Sequence, residues 1–228
     1  FFTNCTANNF TMNVSEAISS RRSIRDFLTS PVSNALIKEL LIKASRSPSG
    51  GNLQPWKIFV INKKSMDDFL EFQANWTQPE VPAYDIYPPK LKEPYRTYRY
   101  DLGEQMYSLL EISREDKDAR ITQVLKNFNF FGAPVGIFCF IDKSMGPPQW
   151  SDLGMFLQTL MLLAKEAGLD TCAQEAWSMK QDSVKSFLEV DESLMLFCGM
   201  ALGYADKDAK INQLCSKRSH VDDWATFV

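Results

Sequence analysis

The sequence predicts a single α+β domain in which helices and strands are mixed. Three apolar runs, "WKIFVIN", "PVGIFCFID" and "LMLFCGMALGY", have the length and content of buried strands. Helical segments separate them without the regular strand–helix alternation of a doubly wound parallel sheet. Because 45% of the 228 residues are hydrophobic, the chain can bury a substantial core, and residues 1–228 are expected to form one domain.

Two helices are predicted ahead of the first strand. Ser15 is a suitable N-cap for a short helix that continues into "EAISSRRSIRDF". Ser33 is a suitable N-cap for a second helix, in which apolar residues recur at helical spacing from Leu36 to Ala44. This helix should end near Arg46, because Pro48 cannot continue it.

Residues 75–126 differ in composition from the rest of the chain and are predicted to form a lid-like excursion. The stretch "TQPEVPAYDIYPPKLKEPYRTYRY" is dense in proline, tyrosine and charge, and a polar helical stretch follows it.

The second half of the chain contains the most apolar helical pattern, "LGMFLQTLMLLAKEAG". Ser151 or Asp152 is expected to cap its start and Gly168 its end. Its hydrophobic surface favours burial against a second chain, although a central helix of one monomer has the same pattern. A strand or loop "LDTCAQEAW" and a helix "DSVKSFLEV" follow, and residues 213–228 read as a C-terminal arm.

Composition excludes several classes of protein. The net charge of −3 argues against general nucleic-acid binding, since such proteins usually present a basic face to the phosphates. No apolar run is long enough to span a bilayer, so a soluble, cytoplasmic protein without a membrane partner is expected. Five widely spaced cysteines and a single histidine fit neither a disulfide framework nor a metal site.

Two motifs carry candidate chemistry. In "RRSIRDF", three arginines and a serine within five residues can bind a phosphate, although a solvated basic patch has the same composition. In "SPSGGNLQPW", the glycines allow close backbone approach to a flat ligand, and Ser49, Asn52 and Gln54 offer donors and acceptors for a heteroaromatic edge. An ordinary helix-to-strand turn uses the same small residues.

In this order and about twenty-five residues apart, the two motifs resemble the N-terminal signature of the nitroreductase family of FMN-dependent oxidoreductases. "MGPPQWSDLGMFLQTLMLLA" and "TCAQEAW" are most similar to its nitrobenzoate-reductase branch. The resemblance implies a mainly antiparallel sheet flanked by helices. It also implies a domain-swapped homodimer with FMN at the interface and an extended C-terminal arm.

The resemblance further implies roles for individual residues, with flavin N5 rather than a side chain carrying the chemistry. The implied contacts are Arg21, Ser23 and Arg218 at the FMN phosphate, Arg22 at the phosphate or ribityl chain, Arg25 at the pyrimidine edge, Pro48, Ser49, Gly50 and Asn52 from the partner subunit, Gln54 at the ring or ribityl chain, the Glu175 and Ala176 backbone facing N5 and O4, and Gly203 close to the phosphate.

The C-terminal arm departs from the pattern of this branch, which has two basic residues about three apart. Here Cys215 or Ser216 stands at the first position, and only Lys217 and Arg218 are basic. Either the affinity for phosphate is lower or Lys217 replaces the missing cation.

By resemblance, NAD(P)H reduces the flavin and an aromatic acceptor then takes its place, in a ping-pong reaction with nitroaromatics or quinones. No dinucleotide-binding glycine motif follows a strand, so NAD(P)H is expected to bind over the flavin as a substrate. The candidate acceptor contacts, for most of which a packing role is the simpler expectation, are Trp76, Tyr84, Tyr95, Arg96, Arg99, Phe128, Phe130 and Phe131. A reductive dehalogenase of halotyrosine type and a non-catalytic flavin-binding protein remain as alternatives, and the choice between NADH and NADPH is open.

Overall fold

A computed structural model describes residues 12–228, so that Cys5 lies outside the described residues. Four strands form one sheet in the order β1-β2-β4-β3, and every neighbouring pair is antiparallel. The strands are β1 (Lys57–Asn62), β2 (Val135–Asp142), β3 (Asp170–Gln174) and β4 (Leu194–Gly203). This arrangement confirms the predicted α+β class with an antiparallel sheet.

Seven α-helices surround the sheet in the described part of the chain: α1 (Val14–Ser20), α2 (Asn34–Ala44), α3 (Lys64–Asn75), α4 (Tyr95–Leu109), α5 (Lys117–Leu125), α6 (Pro147–Glu166) and α7 (Gln181–Leu188). Short 3-10 turns cover Gly50–Asn52, Lys126–Gly132, Glu175–Lys180, Lys210–Gln213 and Val221–Asp223. The predicted excursion therefore contains α4 and α5, and the arm contains a short 3-10 turn at Val221–Asp223.

Strand β2 is central and buried on both faces. Val135, Ile137, Cys139 and Ile141 alternate along it into a core shared with α2 and α6. Phe138 and Phe140 point the other way, into an aromatic core that contains Phe69 of α3 and the fully buried Trp177. The continuous apolar run of this strand is explained by burial on both sides.

Strand β1 is less buried than its apolar sequence indicated. Only Ile61 is buried, whereas the other residues of Lys57–Asn62 are partly or fully exposed. The prediction of a buried strand was wrong because β1 pairs only with β2 and forms one edge of the sheet.

The first helix begins and ends earlier than predicted. Asn13, rather than Ser15, is the N-cap, and its side chain and that of Glu16 form a capping box. The helix ends at Ser20, so "RRSIRDF" is extended instead of helical. Ser23 forms a parallel bridge with Thr171 of β3, which accounts for the extended conformation.

The boundaries of α2 and α6 test two further predictions. Ser33 caps α2 as predicted. Helix α6 begins at Pro147, after Gly146, so Ser151 and Asp152 lie inside it and cap nothing. Proline suits the first helical position, where no backbone donor is needed. At the other end, Gly168 has a φ of +76°, which confirms it as the terminating glycine.

Among residues 12–228, no helix is both long and apolar enough to cross a membrane.

Candidate functional site

The extended segment after α1 is held in place by Thr171 of β3 and by Asn212, which directly precedes the C-terminal arm. The Ile24 N–H donates to the Thr171 carbonyl at 3.0 Å. The Arg25 N–H donates to Asn212 Oδ1 at 2.7 Å, and Asn212 Nδ2 donates to the Asp26 carbonyl at 2.7 Å. Asn212 therefore connects the start of the C-terminal arm to the arginine-rich segment.

This connection places the arginines around one cavity of about 380 Å³, the arginine cavity. Its lining is Ile18, Ser19, Arg21, Arg22, Ser23, Arg25, Leu102, Gln158, Leu214, Cys215, Ser216 and Arg218. No acidic residue belongs to the lining, and within residues 12–228 none of the four arginines forms an ion pair. Four uncompensated positive charges around one cavity favour an anionic ligand.

The C-terminal arm, in which Cys215 or Ser216 stands where a basic residue was expected, borders the arginine cavity. Cys215 and Ser216 line the arginine cavity, whereas Lys217 is not part of the lining. Arg218 Nη1 donates to Ser216 Oγ at 2.7 Å and to the Lys217 carbonyl at 3.0 Å. The arm therefore offers one guanidinium and one hydroxyl to the cavity.

The loop from Pro48 to Gln54 lies outside the arginine cavity of the same chain. The Gly50 N–H donates to Asp152 Oδ2 at 3.2 Å, and the Gln54 N–H donates to Ser49 Oγ at 3.0 Å. Gly51 has a φ of +57°, as its sequence context favoured. Hydrogen bonds within one chain thus hold this loop in its conformation, but they do not place it at the arginine cavity.

Glu175 and Ala176 begin the 3-10 turn that follows β3. The next residue, Trp177, is fully buried and packs so closely on β4 that a Cβ at Gly199 would lie 2.1 Å from its Cδ1. Surrounding protein atoms raise the pKa of the Glu175 carboxyl by desolvation, although the side chain as a whole remains exposed. The buried Trp177 side chain therefore anchors the turn, while its first residue, Glu175, remains exposed to solvent.

Gly203, predicted to approach a phosphate, is required for packing. A Cβ at this position would lie 2.6 Å from Pro134 Cδ and 3.3 Å from Phe27 Cδ1. The residue does not line the arginine cavity.

Three residues of these arrangements escaped the sequence analysis. Gln158 lines the arginine cavity, Asp152 accepts from Gly50, and Asn212 orients Arg25. Gln158 and Asp152 are polar residues in a largely apolar helix, which is the available signal. Asn212 has no comparable signal.

The predicted acceptor contacts of the excursion separate into core and surface residues. Phe130 and Phe131 are 0% and 5% exposed and belong to the aromatic core, which is the packing role expected for most of these residues. Arg96 pairs with Glu93 at 2.6 Å, while the Arg99 guanidinium lies 4.3 Å from the centre of the Tyr87 ring.

The described cysteines are free thiols, three of them buried and Cys215 exposed. Burial raises the pKa of Cys172 to about 11 and that of Cys198 to about 12. Within residues 12–228, no group of histidine, cysteine or acidic residues is arranged to hold a metal ion.

Residues 18–204 match the model of the nitroreductase family. The chain belongs to the nitroreductase family. A 4-nitrobenzoate reductase of Pseudomonas putida is 38% identical over 214 residues, which are 92% of this chain and 93% of that protein. A nitrobenzene nitroreductase of Ectopseudomonas oleovorans is 35% identical over 219 residues, covering 94% and 96% of the two chains.

The similarity of the chain to a solved structure supports its assignment to the nitroreductase family. The FMN and NADPH-dependent nitroreductase NfnB from sphigopyxis sp. strain HMH superposes with a TM-score of 0.91 at 40% identity. The match covers 95% of this chain and 99% of that one. The resemblance inferred from "RRSIRDF" and "SPSGGNLQPW" is confirmed, including its similarity to nitrobenzoate reductases.

Proposed function

We propose that this chain is an FMN-dependent oxidoreductase that uses NAD(P)H to reduce nitroaromatic or quinone acceptors. The arginine cavity is the observation that carries the proposal. Arg21, Arg22, Arg25 and Arg218 converge there without an acidic partner in the described residues. Guanidinium groups bind phosphate oxygens through paired N–H donors, so Arg21, Arg22 and Arg218 fit a phosphate monoester, which leaves Arg25 for the ring of the ligand.

The position of β3 supports an elongated ligand. Thr171 bridges to Ser23 beside the arginines, and Glu175 follows four residues later. Four residues of extended strand span about 13 Å. A ligand with an anionic end at the arginines and a ring at Glu175 must therefore be long, as FMN is.

In the proposed reaction the protein binds and orients the reactants. When bound, FMN supplies two-electron hydride chemistry, with donor and acceptor binding in turn. Arg25 would place a positive charge at the pyrimidine edge, where it stabilises the anion that forms on reduction. The backbone N–H groups of Glu175 and Ala176 would donate to the ring edge that exchanges hydride.

The names of similar proteins support a nitroaromatic compound as the electron acceptor. Two of them are named for the reduction of 4-nitrobenzoate and nitrobenzene, and the solved structure is described as FMN and NADPH-dependent. We therefore propose nitroaromatics as acceptors and NADPH or NADH as donor. Arg99, which has a stacking tyrosine and no ion pair within residues 12–228, is a candidate contact for an acceptor carboxylate.

A homodimer is proposed for two reasons. The loop from Pro48 to Gln54 is separate from the arginine cavity, so a partner subunit would have to supply it. The arm also exposes Trp224 and Phe227 by 71% and 89%. Such apolar side chains are typical of a contact with another chain.

The test is an absorbance spectrum of the purified protein, followed by anaerobic addition of NADH or NADPH and then of a nitroaromatic. Flavin bands that bleach and return support the proposal. A colourless protein that does not take up added FMN would contradict it. Flavin binding without NAD(P)H oxidation would instead support a binding protein.

The phosphate contact can be tested with neighbouring residues of the arm. We expect Arg218→Ala to weaken FMN binding roughly 10- to 100-fold, because it removes a charge-assisted contact. Lys217→Ala is the matched control, since Lys217 does not line the cavity. Quenching of flavin fluorescence on binding measures both affinities. Equal losses in the two variants would show only a general charge effect.

A further inference from the structure

The turn that contains Glu175 and Ala176 lies between two hydrogen bonds, one to the first part of the excursion of residues 75–126 and one to Asn127, just after its end. The Ala83 N–H, near one end, donates to the Ser178 carbonyl at 2.8 Å. At the other end, Gln174 Nε2 donates to the carbonyl of Asn127, the residue after α5 and Lys126, at 2.7 Å. The two contacts lie immediately before and after the segment 175–177.

The contact at the first end is reinforced by charged and amide groups. Glu80 Oε2 accepts from the Asp182 N–H at 3.0 Å, while the Val81 N–H donates to Asp182 Oδ2 at 2.7 Å. Gln181 Nε2 donates to the Val81 carbonyl at 2.9 Å. These reciprocal bonds fix the chain around Ala83 against the start of α7.

Tyr84 ties the same end to the sheet. Its hydroxyl donates to the Phe197 carbonyl. Phe197 is the extra residue of a β-bulge, since Leu196 pairs with Phe140 and Cys198 with Cys139. A bulge leaves a residue without a ladder partner, and Tyr84 supplies the missing donor.

The contact at the second end depends on a buried side chain. Gln174 is 2% exposed and is the last residue of β3, where Gly199 pairs with it. Its amide donates to Asn127 from the interior of the protein, where such a bond is costly to lose. Trp177, fully buried between aromatic side chains, prevents the turn from moving inward.

We propose that Gln174 and Glu80 are positioning residues through which the excursion sets the orientation of the Glu175 and Ala176 backbone N–H groups. A displacement of the excursion would then change the hydrogen bonds offered to the flavin, and with them its reduction potential. This inference rests on the proposed function, because it assigns these N–H groups to bound FMN.

The test compares variants that release the excursion at different points. Gln174→Leu removes the donor to Asn127 at similar volume, and Glu80→Ala removes the acceptor at α7. Glu111→Gln is the control, because it breaks the 2.7 Å ion pair with Lys210, a contact of the excursion away from the turn. The midpoint potential is measured by anaerobic titration against a reference dye.

We expect the ratio of the dissociation constants for oxidised and reduced FMN to change about tenfold in Gln174→Leu. This corresponds to a shift of about 30 mV for a two-electron couple. Glu80→Ala should shift the potential in the same direction, and Glu111→Gln should leave it unchanged. Hydrogen exchange of residues 175–178 in flavin-free protein should accelerate in the first two variants alone.

Unchanged potential and exchange in both positioning variants would overturn the inference while leaving the proposed function intact. Equal shifts in Glu111→Gln would also overturn it, because general loosening of the excursion would then explain the effect. If Gln174→Leu does not fold, Glu80→Ala and the exchange measurement decide. A wild-type protein that binds no FMN would refute the proposed function and the inference together.

Discussion

Replacement of Gly199 by alanine should disturb the fold and the turn at Glu175 together. A Cβ on Gly199 would lie 2.1 Å from Cδ1, 2.8 Å from Cγ and 2.9 Å from Nε1 of Trp177. These distances are far below van der Waals contact, so either the indole or β4 must move.

The indole has little room to move. Trp177 is fully buried, and the ring centres of Phe128, Phe130 and Phe138 lie 5.3, 4.8 and 5.2 Å from its own. Overpacking of this kind costs about 1–3 kcal/mol, and this contact belongs at the upper end. For a chain of this length, about 3 kcal/mol corresponds to a decrease in Tm of roughly 6–12 °C.

Thermal unfolding followed by circular dichroism measures this effect. Gly103→Ala in α4 is the control, because nothing lies within 4 Å of its added Cβ, and alanine is the better helix former. The double variant Gly199→Ala with Trp177→Phe should recover part of the loss, since the smaller ring relieves the clash. A Tm for Gly199→Ala within 2 °C of wild type would refute this reasoning; ~2 °C corresponds to less than about 1 kcal/mol.

Two further predictions follow from titrating groups. Desolvation raises the pKa of Glu175 above its usual value of 4.5, so the ionised carboxylate destabilises the folded state at neutral pH. Glu175→Gln should therefore raise the Tm near pH 8, and this gain should disappear as the pH falls below about 4.5; a pH-independent gain would contradict the assignment. In a Cys5→Ser background, iodoacetamide at about pH 8 should modify the exposed Cys215 but not Cys172 or Cys198, whose raised pKa values keep them protonated. Mass spectrometry before and after denaturation counts the adducts, and labelling of Cys139, Cys172 or Cys198 in the native protein would contradict the described burial.

The elements predicted best were those with a strong local signal. The helix after Ser33 begins at its cap, β2 matches its apolar run, and Gly168 ends α6. Each depends on residues within a few positions of one another, whose preferences act in any tertiary context. The family was also identified correctly, because "RRSIRDF" and "SPSGGNLQPW" are short motifs at a fixed separation.

Predictions that required knowledge of neighbours were less accurate. The exposure of β1 depends on its place at the edge of the sheet, and its own residues read as a buried strand. The burial of Phe130 and Phe131 could not be read from the sequence, because aromatic residues suit both a core and a binding surface. Ser151 looked like a helix cap, whereas α6 begins at Pro147.

The sequence by itself determined the fold class, most helices and strands, the family and the residue types that can bind a phosphate. The resemblance implied that Arg218 joins the N-terminal arginines, and the structure places all of them at one cavity. Only the tertiary structure placed Asn212 beside Arg25, 187 positions away. The tertiary structure also placed a hydrogen bond on each side of the turn at Glu175, one from Gln174 and one from the Ala83 N–H. The physical reason is that periodicity and capping act over a few residues, whereas these contacts arise when the sheet brings distant segments together.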